Sequence, residues 1–147
     1  MFSIFWVFTL RAMAPCDNSF IVISPELICK YGVDDSILRA FISLESGFKE
    51  DAVNPITGAR GILQILPPMV TEVNRIMKEY DLPEVQFTWD DAWDAEKSIE
   101  IWYIVQSYHN LDYDVKKACR LWFGVGTQYD GLTWGGYHKL IQKRILT

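Results

Sequence analysis

Glu45 is the residue best placed to do chemistry, because it is a carboxylic acid set among apolar side chains. Ile42 lies three residues before it, Phe41 four and Leu38 seven, the spacing that stacks side chains on one face of an α-helix. Glu45 therefore points toward the expected core. Burial disfavours the ionised carboxylate, and the last turn of a helix, just ahead of Gly47, adds the negative end of the backbone dipole. Both effects raise the pKa and yield a group that can hold a proton near neutrality and hand it on. The competing reading is a glutamate paired with an arginine such as Arg60, or one that reaches solvent from a frayed helix end.

The residues that follow bear on that choice. Ser46-Gly47-Phe48, Ala52, Asn54-Pro55, Gly58-Ala59, Gly61-Ile62-Leu63-Gln64 and Pro67 succeed one another in fixed order. Gly58 and Gly61 suit a tight hairpin that needs positive φ or close backbone approach, and Pro67-Pro68 can open a helix where a missing N–H costs nothing. In order and spacing this run resembles the signature of the lytic transglycosylases, relatives of goose-type lysozyme, and the resemblance extends from about Pro25 to about Arg144.

That resemblance implies a mainly α, lysozyme-like fold of the α+β kind: a helical single domain with a small hairpin lining the cleft. It implies Glu45 as catalytic acid and base, and substrate-binding roles for Ser46, Asn54, Gln64, Trp122 and Tyr129. Gln64 closes the GLMQ-like motif, and its amide can both donate to and accept from a sugar substituent. Asn54 stands where many members carry a serine that meets the acetamido group, and Ser46 follows the acid, with hydrogen bonding near the carboxylate as its role. Turn or capping roles are the alternative for each. The C-terminal motif departs from the family: members show Tyr-Asn-Ala-Gly where this chain has Leu121-Trp122-Phe123-Gly124-Val125-Gly126. Trp122 replaces the tyrosine that bonds the acid and Phe123 the asparagine, leaving Tyr129 or Tyr137 to supply a hydroxyl.

Helical elements must position these groups. Ser24-Pro25 predicts a short helix to Tyr31 ended by Gly32, and Asp34 a cap for the helix ending at Glu45. Met69, Val70, Val73, Ile76, Met77 and Tyr80 repeat with helical period and predict an amphipathic helix that stops before Pro83. Asp94 caps a helix through about Tyr108, apolar on nearly every side and hence central. Lys116 to Phe123 reads as another, ended by the Gly124-Val125-Gly126 turn. Leu132 to Gly136 reads as loop, and Tyr137 to Ile145 as a closing helix.

The 147 residues, half of them hydrophobic, make one core of ordinary size. Residues 1–20 form an N-terminal apolar segment and 21–147 the catalytic domain. The apolar run Phe2 to Leu10, followed by Ala12-Met13-Ala14, has the traits of a signal or anchor; the lack of a preceding Lys or Arg, with Arg11 and Pro15 nearby, counts against export, and both readings stay open. The net charge of −5, without a basic stripe, argues against nucleic acid or an anionic membrane as main partner. Aromatics reach 14 %, including Trp6, Trp89, Trp93, Trp102, Trp122 and Trp134; their flat rings suit sugar faces, though core filling accounts for most. Cys16, Cys29 and Cys119 show no ligand spacing, so no metal or other cofactor is expected, and a single disulfide pair stays open. His109 and His138 are isolated and read as surface or core residues.

Most glycosidases use two carboxylates, about 5–5.5 Å apart when retaining and about 6.5–9.5 Å apart when inverting. Ala52 to Thr71, which in this family lies across the cleft from the acid, contains no Asp or Glu, and Glu50 and Asp51 read as solvating the preceding loop. A one-carboxylate site needs another nucleophile, which the substrate's 2-acetamido group can supply. The resemblance then implies cleavage between N-acetylmuramic acid and N-acetylglucosamine to a 1,6-anhydro product. The implied partner is peptidoglycan. The implied location is extracytoplasmic, in periplasm or envelope, or on a virion; a virion or secretion assembly could hold the chain, which is otherwise a monomer. A goose-type muramidase and a wall-binding protein of low activity are the alternatives.

Overall fold

Asp35 starts the first helix. The computed structural model describes residues 35–123 and 133–146. The apolar N-terminal segment, the helix expected over 25–31, Asp34, Cys16, Cys29, the 124–126 turn and Tyr129 lie outside them. Asp35 Oδ1 accepts from the backbone N–H of Ile37 and Leu38, each at 3.0 Å, so the cap falls one residue later than expected. Only from there does the carboxylate reach the second and third N–H of the helix that forms. Helix α1 (Ser36–Glu45) buries Leu38, Phe41 and Ile42 and ends on Glu45.

Helix α2 (Pro67–Glu79) starts on its two prolines and buries Val70, Val73, Ile76 and Met77. A short 3-10 helix (Trp89–Trp93) leads to α3 (Ala95–His109), capped by Asp94 Oδ1 as expected. Helix α3 is the central one, with Ile101 and Trp102 fully buried. Helices α4 (Val115–Phe123) and α5 (Trp134–Ile145) follow. Helix α5 begins three residues ahead of the expected Tyr137, because Thr133 Oγ1 accepts from Gly136 N–H at 3.3 Å and so caps a first turn that contains both glycines. It lies against α1 and α4, while α2 packs on α3.

The hairpin is reduced to two isolated bridges, Val53 with Arg60 and Arg60 with Ile65. Close contacts pin it to the 3-10 helix. Gly61, at φ +76°, comes so close that a Cβ there would sit 1.7 Å from the Ala92 carbonyl oxygen. The Arg60 guanidinium stacks 3.4 Å from the centre of the Trp89 ring, and Trp89 Nε1–H donates to Ile65 O at 3.1 Å. A mainly helical domain with a minimal hairpin is thus what the sequence pattern describes.

Five aromatic rings close on themselves in the core. Trp122 packs on Trp102 (4.7 Å between centroids), Trp102 on Phe41 (4.5 Å), Phe41 on Tyr137 (5.7 Å) and Tyr137 on Phe123 (4.9 Å), and Phe123 is covalently next to Trp122. Tilted and edge contacts of this kind suit the ring quadrupoles. Members of α1, α3, α4 and α5 are thereby joined.

Candidate active site

Glu45 ends α1 on the face that Phe41 and Ile42 bury, as the spacing requires. The residue keeps partial solvent access, but protein atoms enclose its carboxyl, and loss of hydration pushes its pKa up to about 7. Tyr137 offsets part of that rise by donating its hydroxyl to Glu45 Oε1. Burial and the neighbouring carboxylate lift the Tyr137 hydroxyl far above its ordinary pKa, so it remains a donor. Arg60, the arginine that could have neutralised the acid, is instead paired with Asp90 at 3.0 Å. Glu45 is therefore a hydrogen-bonded acid poised near neutrality.

The other expected residues lie on the hairpin or against it, and the structure gives each a definite backbone partner. Ser46 Oγ donates to Ile62 O at 2.8 Å, with Ile42 O at 3.2 Å, tying the end of α1 to the hairpin in place of a bond to the carboxylate. Gln64, at φ +50°, donates Nε2–H to Ala52 O at 3.0 Å and to Gly61 O at 2.9 Å. Both its amide hydrogens are used, so toward a substrate it offers only the acceptor Oε1. Asn54 does the reverse: Oδ1 accepts from Ile56 N–H at 2.9 Å and Thr57 N–H at 3.1 Å, the turn role that was its alternative reading. What it has left is the donor Nδ2. Trp122 donates Nε1–H to Leu63 O at 3.0 Å and does not bond the acid.

Of the two tyrosines that the missing motif left as candidates, Tyr137 reaches Glu45, and Tyr129 lies outside the described residues. The signal for Tyr137 was present in the helical period, since Ile141, one turn on, is fully buried on the same face. Glu50 and Asp51 are exposed, as their loop position suggested. Cys119 is a buried free thiol on α4, and burial pushes its pKa up to about 12. His109 sits on the surface, bonded through Nε2 to Glu72 at 2.6 Å. Among the described residues, no group of His, Cys, Asp or Glu gathers as a metal site.

The site is thus an acid of raised pKa at the end of α1, tied through Ser46 to a hairpin that bears the amides of Asn54 and Gln64. The chain belongs to the Transglycosylase SLT domain family, whose model matches residues 24–119. Membership ties it to lytic transglycosylase-type cleavage of peptidoglycan, and so to action outside the cytoplasm. No solved structure matches the chain.

Proposed function

We propose that the protein is a peptidoglycan lytic transglycosylase that cuts the β-1,4 bond between N-acetylmuramic acid and N-acetylglucosamine, with Glu45 as both acid and base. The observation that carries this reading is one acid, its pKa near 7, followed by a stretch from Ala52 to Thr71, the hairpin and the start of α2, with no second carboxylate. Glu45 donates its proton to the leaving O4 of N-acetylglucosamine as the acetamido oxygen of N-acetylmuramic acid closes on the anomeric carbon. Ionised, Glu45 then takes the proton of the C6 hydroxyl, whose oxygen displaces the acetamido oxygen and forms the 1,6-anhydro ring. The acid ends reprotonated. A pKa near the working pH serves both halves.

The amides of the hairpin fit that substrate class. An acetamido group presents one N–H and one carbonyl, and the groups left over are the Gln64 acceptor and the Asn54 donor. The apolar N-terminal run would carry or anchor the domain outside the cytoplasm, although no helix among the described residues is long and apolar enough to cross a membrane.

Mass analysis of a muropeptide digest tests the reaction. Anhydro products, lighter than hydrolysis products by one water, are expected from wild type. Predominantly reducing N-acetylmuramic acid ends would replace this reading with a goose-type muramidase, with Asp51 as the first candidate base. A folded protein that releases neither would leave the wall-binding reading.

A further inference from the structure

Trp122 occupies the place where a hydroxyl was expected, yet its polar atom reaches the other wall. Leu63 is fully buried, and a buried carbonyl without a partner costs about 1–3 kcal/mol. Trp122 Nε1–H meets that carbonyl at 3.0 Å, and among the described residues no second donor does. The next residue is Gln64, held at φ +50°, a conformation a non-glycine side chain rarely adopts. Gly61 and Ala52 fix the Gln64 amide from one side, and Trp122 fixes the peptide from which it departs. The same indole stacks on Trp102, and the adjacent Phe123 packs on Tyr137, the residue that holds Glu45.

We propose that Trp122 is a positioning residue: through Leu63 it sets the Gln64 wall of the cleft in register with the Tyr137–Glu45 wall, so that one dipeptide, Trp122-Phe123, locates both. The proposal rests on the glycan-cleaving reading above. The single N–H of Trp122 is engaged by Leu63 O and not by the acid, so its work is done on the hairpin. The chain thus divides between Trp122 and Tyr137 two tasks, gripping the hairpin and gripping the acid.

Trp122→Phe keeps a ring for Trp102 and removes the N–H. The expected result is a folded variant whose kcat on peptidoglycan falls about ten- to a hundredfold, the scale on which a displaced contact group acts. Its pH limb, set by Glu45, should not move. In a Gln64→Ala background the same substitution should cost little more, because the group it positions is gone. Wild-type kcat, or a loss that adds in full to that of Gln64→Ala, overturns the proposal. Should Trp122→Phe fail to fold, wild-type protein decides by NMR. The Trp122 indole proton should exchange far more slowly than that of the exposed Trp93 and should shift when a chitin oligosaccharide binds. Exchange as fast as that of Trp93, or no shift at saturation, overturns it. Wild-type protein that cleaves no glycan refutes the function, and the exchange rate then judges the Trp122–Leu63 bond alone.

Discussion

Glu45→Gln separates the two consequences of burying an acid. The amide keeps the shape and still accepts from Tyr137 but carries no transferable proton, so glycan cleavage should fall by about 10²–10⁴-fold. Stability should move the other way. The pKa of Glu45 is about 7 in the fold against 4.5 unperturbed, so the folded state holds its proton more tightly. Below the unperturbed value both states are protonated and the contribution is fully present. As pH rises through the folded value it is lost, to a total on the order of 3 kcal/mol. Urea unfolding should therefore find Glu45→Gln close to wild type near about pH 4 and more stable than wild type near about pH 8; equal stability at both would show that Glu45 is not desolvated. Tyr137→Phe removes the bond that lowers the Glu45 pKa, so the descending limb of the rate profile should shift to higher pH while kcat drops about tenfold. A limb that stays in place would mean that Tyr137 does not act on the acid.

At the scale of elements, the hairpin depends on one glycine. Gly61→Ala forces a side chain into positive φ and against the Ala92 carbonyl, and should cost at least about 1–3 kcal/mol, read as a lower urea midpoint, with activity lost as the Gln64 wall shifts. A variant of wild-type stability would contradict the close approach. Helix α1 is fixed at its far end by Asp35, whose Oδ2 accepts from Tyr103 Oη at 3.1 Å and also from Tyr113 Oη. Asp35→Ala should cost about 2 kcal/mol, the upper end for a cap, measured the same way. The sequence made these elements readable where periodicity and caps are local: α2 from its prolines and apolar repeat, α3 from Asp94, and the acid from Leu38, Phe41 and Ile42. It left unreadable what depends on distant partners. Nothing local says that both donors of Gln64 are spent on Ala52 and Gly61, that Trp122 serves Leu63, or that Thr133 starts α5 early, because each is a choice between equally competent donors or acceptors settled by packing.

For the molecule as a whole, the proposed mechanism rests on one proton and the substrate's own nucleophile, and no step of it calls for a Lewis acid. Prolonged chelation with EDTA should leave the cleavage rate unchanged; a rate that falls and returns with added zinc would require a different mechanism. The charge balance makes a second whole-molecule statement. At −5 the chain has no electrostatic pull toward acidic wall polymers, so binding should come from the shape and hydrogen bonding of the cleft and should weaken little with salt. A steep loss of binding on raising salt from about 50 to about 200 mM would show a basic surface at work.

The bond between Tyr137 and Glu45 spans 92 positions of sequence. Only when α5 docks against α1 does Glu45 gain the Tyr137 bond that offsets part of its desolvation. The site around Glu45 is therefore not completed by α1 alone; it is assembled where the rings of Phe41, Trp102, Trp122, Phe123 and Tyr137 close. On the proposed function, folding itself would then act as a safety catch, the complete acid site being assembled only with the docking of α5.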